Sequence, residues 1–203
     1  MEIIFATGNR HKLEEARQIL GEGITLKTPA DFGITEDIPE TGNTLQDNAI
    51  QKAAYIFGRT GKPCFSDDTG LFVDALNGAP GVLSARYAGP AKSPEDNMRK
   101  LLGKLEGIPE EKDGKRLRTA RFTCVVAFVS EEGPKLFEGS VEGEIALRKC
   151  GDAGFGYDPV FLPEEYGLKR SFAELTHEEK NRISHRGKAM REFAGFMRNR
   201  FSK

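Results

Sequence analysis

The sequence predicts an α/β protein with a mixed β-sheet and helices packed around it. In the first half, short apolar runs alternate with amphipathic segments, as expected of successive strands and helices. In the second half, two long runs rich in Phe and Val are joined by Glu131-Glu132-Gly133-Pro134, which indicates an antiparallel hairpin. The 203 residues suffice for one large domain with a sizeable core and room for two lobes.

Helical periodicity predicts four helices, at residues 11–20, 45–57, 95–105 and 187–201. Ser93 and Pro94 mark the start of the third, because a hydroxyl cap followed by proline is typical of a helix N-terminus. The apolar stripe of the last helix consists of Met190, Phe193 or Ala194, Met197 and Phe201.

Apolar runs rich in β-branched and aromatic residues predict the strands, at residues 3–6, 24–27, 64–66, 71–75, 121–130 and 136–145. The polar segment 109–116 is predicted to be an exposed loop.

Composition excludes several classes of protein. The net charge of −1 argues against a general polyanion binder. No apolar run is long enough to span a membrane, and no signal peptide is expected. The three cysteines, Cys64, Cys124 and Cys150, fit neither a disulfide framework nor a zinc site. We therefore expect a cytoplasmic protein without a membrane partner.

Charge is unevenly distributed along the chain. Residues 169–203 carry ten Lys or Arg against four Asp or Glu, a balance of +6, so the remainder carries −7. A basic end beside an acidic body suits an anionic ligand that brings a metal ion. A solvated basic helix face explains the same charge equally well.

The first candidate binding segment is Gly154-Phe155-Gly156-Tyr157-Asp158-Pro159, followed later by Ser184-His185-Arg186. An aromatic ring between glycines can stack on a nucleobase, because glycine lets the backbone approach closely. A guanidinium offers a rigid fork of donors for keto oxygens and phosphates. The alternative is a glycine-rich turn followed by a helix cap.

The second candidate is the junction of residues 6–12, between the first strand and the first helix. Such a junction presents free backbone N–H groups and the positive end of a helix dipole to an anion. Thr7, Asn9 and Lys12 add polar and cationic side chains. The spacing matches neither a Walker A loop nor a dinucleotide fingerprint. The alternative is an Asn9 helix cap followed by a solvated lysine.

Lys52 lies in the middle of an apolar helical stripe that includes Leu45, Ala49 and Ile56. A lysine at this position either extends its amine to the surface or points into a polar cleft. We favour the cleft, because other anion-binding groups occur elsewhere in the chain.

Glu40 and the segment Asp67-Asp68-Thr69-Gly70 are the candidate metal ligands. Mg²⁺ takes oxygen ligands, commonly one or two carboxylates together with phosphate oxygens and water. Because successive strand residues face opposite sides, at most one of the two aspartates points into a cleft. The other would orient a backbone amide or a water molecule. The alternative is a plain turn at Gly70.

Taken together, these motifs resemble the non-canonical purine nucleoside triphosphate pyrophosphatases, the inosine triphosphatase or XTP/dITP diphosphatase family. The resemblance runs nearly end to end, with Thr69 at a position where serine is common. The matching segments are Thr7-Gly8-Asn9 with Lys12, Glu40-Thr41-Gly42, Asn48-Ala49 with Lys52-Ala53, Ser66-Asp67-Asp68-Thr69-Gly70-Leu71, Gly78-Ala79-Pro80-Gly81, Ser84-Ala85-Arg86-Tyr87, Gly154-Phe155-Gly156-Tyr157-Asp158-Pro159, and Glu174-Leu175-Thr176 through Lys180 to Ser184-His185-Arg186-Gly187.

The resemblance implies one two-lobed α/β domain over residues 1–203, built around a long mixed sheet with flanking helices. The substrate would lie in the groove between the lobes. It implies Mg²⁺-dependent hydrolysis of ITP, dITP and XTP to monophosphate and pyrophosphate, which cleanses the nucleotide pool. It also implies a homodimer that has no stable nucleic-acid partner.

The resemblance also implies residue roles. Glu40 and Asp68 would hold the metal, Asp68 would be the proton acceptor, and Phe155 would stack on the base. The remaining substrate-binding residues it implies are Thr7, Gly8, Asn9, Arg10, His11, Lys12, Lys52, Thr69, Gly156, Tyr157, Asp158, Lys180, His185 and Arg186.

Base selection and the alternative functions depend on the same residues. Arg186, a donor only, would pair with a 6-keto oxygen and reject the 6-amino group of adenine, although this does not explain rejection of guanine.

One alternative is a non-catalytic nucleotide- or RNA-binding module, which needs no carboxylates near the phosphate-binding residues. Another is a Maf-like pyrophosphatase of other modified nucleotides, against which the Phe155 motif and Ser184-His185-Arg186 both argue.

Overall fold

The computed structural model describes residues 2–21 and 23–201. The chain divides into two compact units. Unit 1 comprises Met1–Asp68, Cys124–Gly139 and Arg186–Lys203, and unit 2 comprises Thr69–Thr123 and Ser140–His185.

Within the described residues, the strands form one mixed seven-stranded sheet and one small hairpin. The large sheet has the order β2-β1-β3-β7-β8-β9, with β4 paired to β3. β1 pairs in parallel with β2 and β3, whereas β8 and β9 are antiparallel. The strands are β1 Glu2–Phe5, β2 Thr25–Lys27, β3 Cys64–Val73, β4 Pro80–Gly81, β5 Glu111–Lys112, β6 Lys115–Arg116, β7 Thr119–Ser130, β8 Gly133–Ile145 and β9 Phe161–Pro163. The predicted mixed sheet is confirmed.

The α-helices of the described chain are α1 Arg10–Leu20, α2 Leu45–Thr60, α3 Pro94–Lys104, α4 His177–Ile183 and α5 His185–Phe201. The side chains of Asn9, Thr44 and Ser93 cap α1, α2 and α3. Each cap satisfies a backbone N–H that the first turn leaves without a helical partner. All four predicted helices are confirmed, and α4 was not predicted. The stripe on α5 is buried from Met190 to Met197, while the Phe201 side chain lies outside the described residues.

Two local predictions were wrong. Segments 64–66 and 71–75 are one continuous strand, β3, so Asp67-Asp68-Thr69-Gly70 is not a turn. Gly70 is needed there because a Cβ would lie 2.9 Å from the Gly81 carbonyl oxygen on the paired β4. Segment 109–116 is exposed as predicted, but it contains the β5–β6 hairpin, whose turn residues Asp113 and Gly114 have positive φ angles.

Each unit has its own hydrophobic core. In unit 1, Phe5 of β1 lies opposite Phe65 of β3, and their rings stack with centroids 4.4 Å apart. Phe193 of α5 packs on Phe65 at 4.7 Å, so the helix covers this part of the sheet. In unit 2, residues of β7, β9 and α3 form a separate cluster that includes Phe122 and Phe161. No helix among the described residues is long and apolar enough to cross a membrane.

Candidate active site

Strand β3 gives its two adjacent aspartates different partners. Asp67 accepts hydrogen bonds from Lys12 Nζ at 3.0 Å and from Arg186 Nε at 3.1 Å. Asp68 accepts from Lys52 Nζ at 3.3 Å. The expectation that alternation along a strand separates these two side chains is therefore confirmed.

Asp67 belongs to a buried ion-pair cluster. Asp67 is only 2% exposed, and the Arg186 guanidinium that contacts it also contacts Glu15. Burial opposes the charge of Asp67, but Lys12 and Arg186 outweigh it and hold its pKa well below the usual range. Asp67 therefore stays ionised and anchors two cations.

Glu15 was missed by sequence reasoning. It lies on α1 beside the buried Ala16, and its own carboxylate is buried. No sequence signal pointed to it, because Glu15 is about 100° around the helix from Ala16 and lies off the apolar stripe. Its burial requires a cationic partner, since a buried unpaired carboxylate is costly. That partner is Arg186, which lies 171 residues further along the chain, so the sequence did not reveal it.

Arg186 lies in unit 1, where its Nε donates to Asp67 and its Nη1 donates to Glu15. These two ion pairs hold the guanidinium in place. The assignment of Arg186 to a purine keto oxygen stays a prediction.

Lys52 is buried in unit 1 and does not extend to the surface, so the alternative that it does so is wrong. It is 6% exposed, and its Nζ lies 2.7 Å from Glu40 Oε1 and 3.3 Å from Asp68 Oδ1. Burial opposes the charge of Lys52, but the two carboxylates prevail and raise its pKa. Lys52 therefore joins the two candidate metal ligands in one charged cluster.

Asp68 keeps one carboxylate oxygen unsatisfied. Its Oδ2 is buried and has no hydrogen-bond partner among the described residues. Burial raises the pKa of Asp68, and the charges of Glu40 and Asp67 add to this against the opposing effect of Lys52 and Lys12. The two neighbouring aspartates thus have pKa values shifted in opposite directions, as is typical of carboxylates with different roles.

The carboxylates of Glu40 and Asp68 fit a divalent cation. The unsatisfied Asp68 Oδ2 is a free oxygen ligand, and Glu40 is partly exposed beside the same lysine. Within the described part of the chain, no group of three or more His, Cys, Asp or Glu side chains is arranged around one metal position. Two carboxylates suit Mg²⁺, which takes its other ligands from phosphate oxygens and water.

The junction before α1 is ordered by its own side chains. Asn9 Oδ1 accepts from the Lys12 backbone N–H at 3.2 Å, and Thr7 Oγ1 accepts from Asn9 N–H at 3.1 Å. The Asn9 cap is therefore confirmed. Lys12 is not a solvated lysine, because its amine binds Asp67.

The exposed residues of this junction differ in their contacts. Gly8 has open space where a side chain would be. His11 is exposed, and Arg10 forms an exposed ion pair with Glu14 at 3.2 Å. Exposed pairs of this kind contribute little stability, so Arg10 remains available to an anion.

In unit 2, Phe155 lies in a loop fixed by one buried ion pair. Asp158 Oδ2 accepts from the Phe155 backbone N–H at 2.7 Å and from Lys180 Nζ at 2.8 Å. The Lys180 amine also lies 4.6 Å from the centroid of the Phe155 ring. Gly154 has a φ angle of 77°, and a Cβ at this position would collide with the Asp158 carboxylate. The glycine-rich turn is thus present, and it presents a partly exposed aromatic ring.

Tyr157 and His185 are core residues in the described structure. The Tyr157 hydroxyl donates to the Ser84 carbonyl oxygen at 2.8 Å, and burial raises the pKa of Tyr157. The His185 ring stacks on Phe122 with centroids 4.7 Å apart. Both side chains are buried, so a substrate contact by either stays a prediction. Thr69 and Gly156 are partly buried, and their predicted contacts likewise stay predictions.

The fold, the ion-pair cluster around Asp67 and the charged cluster around Lys52 together define a class of protein. It is an α/β enzyme that acts on phosphorylated ligands. Its cations lie beside carboxylates suited to a metal, and a loop elsewhere presents an aromatic ring. The model of the Ham1 family matches residues 3–196, so the chain belongs to the Ham1 family. The predicted family resemblance is confirmed.

Similar proteins cover almost the whole chain. A dITP/XTP pyrophosphatase of Porphyromonas gingivalis is 48% identical over 196 residues, which are 97% of each protein. A dITP/XTP pyrophosphatase of Thermoanaerobacter pseudethanolicus is 47% identical and covers 100% of both chains. The structure of a HAM1 protein from Coxiella burnetii superposes with a TM-score of 0.87 at 39% identity, covering 98% of this chain and 99% of that one.

Proposed function

We propose that the protein hydrolyses dITP, XTP and ITP to the nucleoside monophosphate and pyrophosphate. The observation that carries the proposal is the cluster of Lys52, Glu40 and Asp68, with a buried Asp68 oxygen that lacks a hydrogen-bond partner among the described residues. The names of the relatives, dITP/XTP pyrophosphatases matched over the full chain, support the substrate class. One water is consumed, and the bond between the α- and β-phosphates is broken.

The chemistry of this cleavage is mainly a matter of placing water in line and neutralising phosphate charge. Lys12 and Lys52 would supply cationic groups to the phosphates, and the turn at Gly8 would supply a backbone N–H. Glu40 and Asp68 would hold Mg²⁺, which supplies charge neutralisation at the phosphate oxygens when bound. Asp68 would accept the proton of the attacking water, a role that its raised pKa suits.

The nucleobase would stack on Phe155. Asp158 fixes the backbone of this residue and Lys180 fixes Asp158, so the ring is held before the ligand arrives. A preformed stacking surface saves the entropy of ordering the loop on binding. The remaining predicted contacts, His185 and Arg186 among them, stay part of the proposal.

The test is a substrate panel. The purified protein with Mg²⁺ should release pyrophosphate and monophosphate from dITP, XTP and ITP, and should turn over ATP poorly. Product identification by anion exchange and phosphorus NMR distinguishes this cleavage from release of orthophosphate. Orthophosphate and a diphosphate as products would reject the proposed cleavage site.

A non-catalytic nucleotide-binding module is less well supported. Such a module has no need of carboxylates beside its phosphate-binding cations, yet Glu40 and Asp68 contact Lys52, and Asp67 contacts Lys12. A Maf-like specificity for other modified nucleotides is tested by the same panel, because it predicts turnover of pyrimidine triphosphates.

We further infer a homodimer in the cytoplasm. The homodimer is inferred from the family resemblance, and light scattering after size-exclusion chromatography tests it. The cytoplasmic location is supported by Cys64, Cys124 and Cys150, none of which forms a disulfide in the described structure, since a reducing compartment keeps thiols reduced. Fractionation of the source cells tests the location.

A further inference from the structure

The loop that follows Glu40 is tied to helix α2 by three hydrogen bonds. The Thr41 backbone N–H donates to Gln51 Oε1 at 2.8 Å, and Gln51 Nε2 donates back to Thr41 Oγ1 at 2.9 Å. The Gly42 backbone N–H donates to Asn48 Oδ1 at 2.8 Å. Glu40 itself lies outside any helix or strand, so these bonds are what orders the segment next to it.

Gly42 lies in close contact with the first turn of α2. A Cβ at this position would be 2.5 Å from Asp47 Cβ and 3.0 Å from both the backbone N and the Oδ1 of Asn48. A side chain at position 42 therefore pushes the loop away from the helix. Asn48 is buried, so water does not readily replace its amide oxygen if the side chain is removed.

The same helix also holds the Glu40 side chain. Lys52 follows Gln51 directly and lies one turn after Asn48, and its amine contacts Glu40 Oε1 at 2.7 Å. Helix α2 thus fixes both the backbone after Glu40 and the carboxylate of Glu40. The carboxylate of Glu40, although it is partly exposed and lies in a loop, is therefore held in position by a rigid helix.

We propose that Gly42, Asn48 and Gln51 are positioning residues that hold the Glu40 carboxylate where a divalent cation is bound. This inference rests on the proposed function, in which Glu40 serves that cation. Residues that orient a metal-binding group typically change metal affinity or activity by about 10- to 100-fold when they are removed. We expect losses in that range for Asn48→Ala and Gly42→Ala, and a smaller loss for the more exposed Gln51→Ala.

The experiment measures Mn²⁺ binding by electron paramagnetic resonance. It uses an analogue of dITP in which NH replaces the oxygen between the α- and β-phosphates. The Mg²⁺ dependence of kcat and KM for dITP is measured in parallel. The variants should bind Mn²⁺ more weakly and need more Mg²⁺ for half-maximal kcat, while KM for dITP at saturating Mg²⁺ changes little.

Two further variants separate positioning from folding. Gln51→Glu keeps an oxygen acceptor for the Thr41 N–H and should retain more Mn²⁺ affinity than Gln51→Ala. Gly58→Ala places the same extra methyl group on α2 where no atom lies within 4 Å, and it should behave as the parent. It is the matched control for Gly42→Ala.

A double-mutant cycle decides between the outcomes. In a Glu40→Gln background, Asn48→Ala should have little further effect on Mn²⁺ binding, because the carboxylate it positions is gone. Full additivity of the two changes, or parental Mn²⁺ affinity in Gln51→Ala and Asn48→Ala, would overturn the proposal. Failure of the parent itself to cleave dITP would instead reject the proposed function, and Mn²⁺ binding would still report on Glu40.

Discussion

Lys52 in unit 1 and Lys180 in unit 2 are both buried lysines, yet their surroundings differ. Lys180 pairs with the carboxylate of Asp158, which also accepts a backbone N–H, and the Lys180 amine lies near the Phe155 and Phe172 rings. Lys52 contacts two carboxylates, and Asp68 keeps an unsatisfied oxygen.

The difference suggests two roles: the Lys180–Asp158 pair orders a binding loop, whereas the Lys52 cluster suits the reaction itself. The Lys180–Asp158 pair is balanced in charge, so it can hold the Phe155 loop without any ligand. Around Lys52, one amine contacts the carboxylates of both Glu40 and Asp68, and the buried Oδ2 of Asp68 has no hydrogen-bond partner among the described residues. Two carboxylates beside one buried lysine, with an oxygen left over, are therefore the feature of unit 1 that suits it to a metal and a polyphosphate together.

The largest expected effect concerns Asp68. Asp68→Asn keeps the shape but removes the proton acceptor, so single-turnover hydrolysis of dITP should fall by about 10²- to 10⁴-fold. Nucleotide binding, measured separately, should suffer less because Lys12, Lys52 and Phe155 remain.

Asp67→Asn is the matched comparison. It leaves Lys12 and Arg186 with one carboxylate fewer in a buried site, so unfolding free energy should drop by about 3–5 kcal/mol while the chemical step is less affected. Turnover of Asp68→Asn within a few-fold of the parent, together with an inactive but stable Asp67→Asn, would reverse the two roles.

The two lysines should differ in how far they affect activity. Lys52→Ala should lower kcat/KM by about ten- to a hundred-fold, the loss of a charge-assisted hydrogen bond of roughly 1.5–3 kcal/mol. It should also lower the melting temperature, because it takes the cation from the carboxylates of Glu40 and Asp68. Lys180→Ala removes the amine that pairs with the buried carboxylate of Asp158, so it should chiefly lower the melting temperature. Unchanged kinetics in a folded Lys52→Ala protein would contradict a role for Lys52 at the phosphates.

Gly154 and Gly156 offer a matched test of the Phe155 loop. Both have positive φ angles, so alanine costs about 1–3 kcal/mol of backbone strain at either position. Only at Gly154 would the new Cβ also displace Asp158. Gly154→Ala should therefore raise KM for dITP more than Gly156→Ala does, with kcat changed less. Equal kinetic effects of the two changes would show that Asp158 does not position Phe155.

The smallest effect is on acid stability. The pKa of Asp67 is lowered in the folded protein, so its charge stabilises the fold at all pH values above the unfolded pKa of about 3.9. That contribution is lost as pH falls from there through the lowered pKa. The melting temperature of the parent should fall more steeply below pH about 4 than that of Asp67→Asn. Parallel curves for the two proteins would contradict a stabilising Asp67 charge.

The sequence by itself determined the elements whose causes are local. Helix α2 follows from a Thr44 cap and an apolar stripe, and the same stripe made Lys52 conspicuous. The hairpin of β7 and β8 follows from two β-rich runs joined by a short turn. Even the separation of Asp67 from Asp68 follows from strand alternation, although the continuity of β3 through Gly70 did not, because it depends on close packing against Gly81.

Only the tertiary structure decided which charges meet. Asp67, Arg186 and Glu15 come from β3, α5 and α1, and no periodicity in the sequence encodes pairing between residues so far apart. The sequence showed that Arg186 is rich in donors, and folding gave it two carboxylate partners, Asp67 and Glu15. Burial makes such partners necessary, since a desolvated guanidinium without partners costs far more free energy than one held by ion pairs.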